Sequence, residues 1–149
     1  MDDAIRTSAA RKSDVLARLD GDLDAWIATA ESGRAHLVPL SLAWDGVTVI
    51  LATPASSRTA RNARASRQAR LALGTSRDVV LIDAVVETVP CKAAAQAVAE
   101  SYQARTGWDP RQEEEDHVYL LVTPLTVQAW RSLAEIEGRT LMRDGHWRS

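Results

Sequence analysis

Five arginines, at 58, 61, 64, 67 and 70, stand behind Pro54, Ser56 and Ser57 and are the residues of this chain best suited to hold a charged ligand. They lie in TPASSRTARNARASRQARLAL (53–73), which reads as a turn, a short helix and the start of a strand. Ser56 or Ser57 can cap the helix by accepting from backbone N–H groups two or three residues on, and the helix start carries a partial positive charge. An anion fits such a place, and planar guanidinium forks match phosphate or carboxylate. Arginines three apart drift about 60° per step around an α-helix, so only neighbouring pairs share a face. A solvated charge run is therefore the competing reading of the same residues.

Other chemistry finds little support. The sequence holds no Gly-x-Gly-x-x-Gly, Walker loop, Gly-x-Ser-x-Gly, His-Glu-x-x-His or Cys-x-x-Cys pattern. His36, His117 and His146 lack ligand spacing, the Glu113–Asp116 cluster reads as a solvated loop, and no metal site is expected. Cys91 has no internal disulfide partner and falls in an alanine-rich helix, as a buried thiol rather than a nucleophile. No catalytic residue is assigned. A net charge of −2 against a locally basic 58–70 segment favours a compact anion over long nucleic acid. The opening residues lack the apolar core of a signal peptide and no run is long enough to span a bilayer, so a cytoplasmic protein is expected.

The elements that must position the arginines can be read in order. The 149 residues, 46% of them hydrophobic, fit one domain over 1–149. SDVLARLDGDLD reads as a short helix capped by Ser13 and closed at Gly21. Ala25–Ala30 reads as a strand, Glu31-Ser32-Gly33 as a turn, and RAHLVPLSLAW as a second strand. Pro39 removes a ladder donor, placing that strand at an edge or a bulge. Trp44-Asp45-Gly46-Val47 reads as a two-residue hairpin around Asp45-Gly46, with VTVILAT as the third strand. Beyond the arginines come a strand from Arg70, a longer one in DVVLIDAVVETV, a helix over CKAAAQAVAESYQARTG, and extended HVYLLVTPLTVQAWR interrupted at Thr123-Pro124. Six or so antiparallel strands with two or three helices give an α+β architecture around a small barrel. Trp26, Trp44, Trp108 and Trp147 are expected to pack in the core or at contacts between subunits.

The order AWIATAESGRAHLVPLSLAWDGVTVILATPASSRTARN, then RLAL, then DVVLIDAVVETV, resembles the flavin-binding split β-barrel family of pyridoxamine 5′-phosphate oxidase and the deazaflavin (F420)-dependent oxidoreductases. The resemblance runs from about Trp26 to about Trp130, and the closing VTPLTVQAWR and GRTLMRDGHWR also look like members of that group. It implies a six-stranded antiparallel split barrel with flanking helices, a homodimer with cofactor sites at the interface, and F420 or FMN as cofactor. Main-chain groups of Val38, Pro39, Leu40 and Ser41 would face the ring's pyrimidine edge, Thr53, Ser56, Ser57, Arg58, Thr59, Arg61 and Asn62 would surround the phosphate, and Trp130 would lie near the ring, from the same subunit or from the other. The implied activity is hydride transfer to or from a small organic substrate, with F420 favoured over FMN if Arg64, Arg67 and Arg70 meet the carboxylate tail; a carrier that binds cofactor without turnover is the alternative. Many relatives have Lys at the position of Thr59 and Leu at that of Ala63, so the phosphate grip here would rest on Arg58 and Arg61.

Overall fold

The computed structural model describes residues 4–148. Helix α1 (Ser8–Gly21) leads into β1 (Asp24–Glu31), β2 (Arg34–Trp44) and β3 (Val49–Pro54), followed by α2 (Arg58–Ser66). Strands β4 (Gln68–Thr75) and β5 (Asp78–Pro90), helix α3 (Gln96–Thr106) and strand β6 (His117–Trp130) follow, with β7 (Thr140–Arg143) and β8 (His146–Trp147) last. All pairings are antiparallel, in the order β3-β2-β1-β4-β5-β6-β7-β8. Pairing of β3 with β6 closes the first six strands into a barrel. The expected α+β split barrel with flanking helices is thus present, with β7 and β8 as an added hairpin.

Alternation along the strands fills the barrel with Ile27, Leu42, Leu51, Leu71, Ile82, Leu120 and Val122, all buried. Helix α1 adds Val15 and Leu19 to this core and α2 adds Ala60 and Ala63. A second cluster under α3 gathers Ala43, Ile50, Ala52, Cys91, Ala99, Tyr102 and Tyr119.

Several boundaries differ from the sequence expectation. Helix α1 begins at Ser8, with Thr7 accepting from the Ala10 N–H at 3.0 Å, so Ser13 lies inside the helix and caps nothing. Helix α3 begins at Gln96; Cys91 sits in a separate 3₁₀ turn after Pro90. The β2–β3 turn is one residue further on, because Trp44 pairs with Val49 and the Asp45 N–H bonds the Thr48 carbonyl. Asp45 then accepts from the N–H groups of Val47 and Thr48 at 2.8 and 2.6 Å, and this side-chain grip fixes the turn at Gly46-Val47. Strand β6 runs through Pro124 unbroken; a register shift opposite Asp83/Ala84 absorbs the proline where β6 leaves β3 and before it meets β7.

Gly74, the next-to-last residue of β4, has a φ of +80°, and a Cβ there would fall 2.1 Å from the Asp78 carbonyl oxygen. Gly74→Ala is expected to cost about 3 kcal/mol and lower Tm by roughly 9 °C in a chain this long. Gly33→Ala, also at positive φ but with open space around it, should cost only about 1 kcal/mol. Calorimetry of both variants separates the clash from backbone strain.

Candidate functional site

The two-residue turn at Ser32-Gly33 (φ of 53° and 75°) sets the phase of the β1–β2 ladder. Glu31 and Arg34 form its hydrogen-bonded pair, so Leu37, Pro39 and Ser41 direct their main-chain groups away from β1. Strand β3 joins β2 only from Leu42 onward, which leaves that side of Arg34–Ser41 without a neighbouring strand. Pro39 therefore lacks its donor where no ladder needs one, as its position in the sequence implied. Toward the end of this open stretch α3 intervenes: the Tyr102 hydroxyl donates to the Ser41 carbonyl at 3.2 Å, and Ser41 Oγ donates to Asp24 at 3.2 Å. Val38 and Leu40 turn their side chains to the core, while Leu37 and Pro39 are exposed.

The segment after β3 is held tightly. Thr53 is buried and donates from Oγ1 to Ser57 Oγ at 2.9 Å. Ser57, not Ser56, is the cap of α2, its Oγ accepting from the Ala60 N–H at 3.1 Å and its carbonyl from the Arg61 N–H at 3.0 Å. Ser56 Oγ donates to Glu115 at 3.3 Å across the 113–116 loop. Asn62 is buried and donates to Thr29 Oγ1 at 3.2 Å, fastening α2 to β1. Thr59 is buried too.

The arginine run divides. Arg58 and Arg61 are exposed at the start of α2, where they line a hollow of about 370 Å³ with Asn62 and with Glu31, Ser32 and Arg34 of the β1–β2 hairpin. Arg64 donates to the Ala55 carbonyl at 2.7 Å and, with Arg67, lines a different cavity of about 700 Å³ floored by Ile50, Val98 and Leu121. Arg70 stands on the outer face of β4 and holds Asp83 in a fork at 2.6 and 3.2 Å. Three-residue spacing in a short helix explains the division, each step turning the next guanidinium onward. Arg34 completes the hollow and was not singled out in the sequence; its only local signal is its place beside the Ser32-Gly33 turn.

On the outer face of the same hairpin, the side opposite Glu31 and Arg34, lies a separate cavity of about 600 Å³ lined by Ala28, Ala30, Ala35, Ala69 and Ala84, with the Arg70–Asp83 pair on its rim. Side chains ending at Cβ leave the sheet open to close approach by a flat group. The outer face beside it carries Trp26 and Leu37, 48% and 59% exposed. Trp26 thus lies outside the core, paired with Pro39 and Ala72 on neighbouring strands. Trp130 ends β6, the strand whose other end, His117, pairs with Pro54. Roughly 40 Å of strand separates Trp130 from that end, so a single chain does not bring it to the start of α2.

Cys91 is buried, and that burial pushes its thiol up to about 11, which keeps it protonated and a poor nucleophile at neutral pH. Among the described residues no group of three or more His, Cys, Asp or Glu could hold a metal ion. Among them, too, no helix is long and apolar enough to cross a membrane.

Comparison with known proteins bears on this geometry. A search of curated proteins finds no match. A structure of an F420 reductase is similar at a TM-score of 0.60 with 20% identity, covering 73% of this chain and 91% of its own. A FAD-binding protein from Mesorhizobium loti gives a TM-score of 0.66 with 18% identity over 83% of this chain and 92% of its own. A protein related to general stress protein 26, of the pyridoxinephosphate oxidase family, from Clostridium acetobutylicum gives 0.64 with 15% identity over 86% and 92%. At these identities the likeness is one of fold. The family model for pyridoxamine 5′-phosphate oxidase matches residues 15–133, which takes in the barrel from β1 to β6 and the whole of α2. With most of its length matched and its six strands closed into a barrel, the chain belongs to the pyridoxamine 5′-phosphate oxidase-like split-barrel family.

Proposed function

We propose that this protein is an oxidoreductase that uses F420, in preference to FMN, to exchange a hydride with a small organic molecule. The observation that carries the reading is the hollow at the start of α2, which Arg34, Arg58 and Arg61 line together. None of the three has a carboxylate partner among the described residues, a condition Arg64 and Arg67 share, while Arg70 at the end of the run is held by Asp83. With Glu31 the single carboxylate among the residues lining the hollow, three guanidinium groups suit an anion that arrives with the ligand. When bound, the cofactor would supply the hydride chemistry, and the protein's part is to hold the phosphate and orient the ring. Arg58 and Arg61 would grip the phosphate, with Ser57 and Thr53 fixing the loop that presents them. The open side of β2 at Leu37 and Pro39 offers main-chain acceptors to a heterocycle's polar rim.

The same reading includes a homodimer. Trp26, Leu37 and Pro39 form an exposed apolar patch on the outer face of β1 and β2 that a second copy would cover. Trp130, remote from α2 in one chain, could reach a ring only from the partner.

A binding protein without turnover is the second reading. It is favoured by the lining of the hollow and of the alanine cavity, where the side chains able to move a proton are Glu31 and the Arg70-paired Asp83 rather than a histidine, cysteine or tyrosine. Titration of the purified chain with F420 and with FMN, followed by fluorescence, tests the cofactor claim, and sedimentation tests the dimer. Saturable binding with F420 tighter than FMN is expected. Turnover of reduced F420 in a substrate screen then supports the enzyme, while tight binding with no oxidation by any substrate supports the carrier.

A further inference from the structure

We infer that Arg34 is the residue that distinguishes a polyanionic cofactor from one carrying a single phosphate. The inference rests on the cofactor reading above and names the part of the site that would recognise the tail. Arg34 follows the Ser32-Gly33 turn and so comes from a different element than Arg58 and Arg61, approaching the hollow from the β1–β2 hairpin. Its backbone is fixed by pairing with Glu31 and by the ladder beyond it, and that hairpin is tied to α2 through the bond from Asn62 to Thr29. Arg34 is exposed and has no hydrogen-bond or carboxylate partner among the described residues, although Glu31 lines the same hollow. Arg61 by contrast already spends one donor on the Ser56 carbonyl at 3.2 Å.

The hollow of about 370 Å³ has room for roughly a dozen water-sized groups, several times what one phosphate fills. Two arginines on α2 suffice for a phosphate; the third, across the hollow, faces whatever extends past it. A ligand with carboxylates beyond its phosphate, such as the oligoglutamate tail of F420, would meet Arg34, and FMN would not. The arginines further along the run are poorly placed for this part, since Arg70 is paired with Asp83 and Arg64 and Arg67 line another cavity.

The test is Arg34→Ala in the full chain, titrated with F420 and with FMN beside Arg58→Ala. Arg34→Ala should raise the Kd for F420 about tenfold and that for FMN less than twofold, the size expected for one exposed charge-assisted contact. Arg34→Lys should recover most of the loss. Arg58→Ala should weaken both cofactors. Equal weakening of both by Arg34→Ala, or no weakening of F420, overturns the inference while leaving the cofactor reading standing. Absence of binding of either cofactor to the unaltered protein removes the cofactor reading itself, and this inference with it.

Discussion

A chain carrying both Arg58→Ala and Arg61→Ala should bind F420 and FMN about 100-fold more weakly than the unaltered protein, with its fold intact. A hydrogen bond to a charged group contributes roughly 1.5–3 kcal/mol, and both guanidinium groups are exposed, so the lower end applies. Two such losses amount to about 3 kcal/mol, or roughly two orders of magnitude in Kd. Neither side chain enters the core, and the one bond lost within the protein is the Arg61 contact to the Ser56 carbonyl. Thermal unfolding should therefore shift by no more than about 2 °C, a surface substitution's worth. Asn62→Ala would behave differently: its amide is buried against Thr29, so both stability and binding should fall. Undiminished cofactor affinity in the double variant would reject the assignment of the phosphate to the start of α2.

How far this site could be read from the sequence depends on the range of the contacts that build it. A serine cap at the start of α2, the turn at Ser32-Gly33 and the edge marked by Pro39 are local consequences of single residue types, and each was legible. The choice between Ser56 and Ser57 was not, because it is settled by the bond from Thr53 and by Glu115 from a distant loop. The same limit applies to Ser13, which has the chemistry of a cap but lies in a helix begun five residues earlier. Cys91 was drawn into α3 because alanine continues a helical pattern on both sides of the 3₁₀ turn, while the break after Pro90 is backbone geometry. Arg34 was missed for a tertiary reason. Nothing near it names a ligand until Asn62 docks α2 onto β1 and brings the hairpin alongside the helix. Trp26 faces outward because β1 alternates, and Ala25 and Ile27 take the inward positions.

The largest effect on stability should come from Glu135, at a place with no part in the cofactor site. Glu135 is buried and accepts four hydrogen bonds, from the Arg6 N–H, Nε and Nη2 at 2.9, 3.0 and 2.8 Å and from the Arg131 N–H at 2.8 Å. Those bonds join the segment before α1 to the turn after β6, closing the chain on itself. Arg6 outweighs the opposing effect of burial and lowers the carboxyl from 4.5 to about 2. Unfolded chains thus take up this proton at a higher pH than folded ones. The resulting stabilisation is complete above about pH 4.5 and is lost as pH falls through about 2, and it corresponds to roughly 3 kcal/mol. Glu135→Ala should cost about 3–5 kcal/mol at neutral pH, because it leaves a mostly buried guanidinium with Asp14 as its remaining carboxylate partner and strands two amide donors. Glu135→Gln keeps the shape and one acceptor, and should lose less at neutral pH. Its urea midpoint should also fall less steeply than that of the unaltered chain between pH 5 and pH 3. Other carboxylates held by arginines, Asp78 and Asp109 among them, remain in both proteins and shift both curves in the same sense, so the difference between the two curves isolates Glu135. Parallel curves across that range would mean that the carboxylate titrates alike in the folded and unfolded chain, contrary to the geometry that surrounds it.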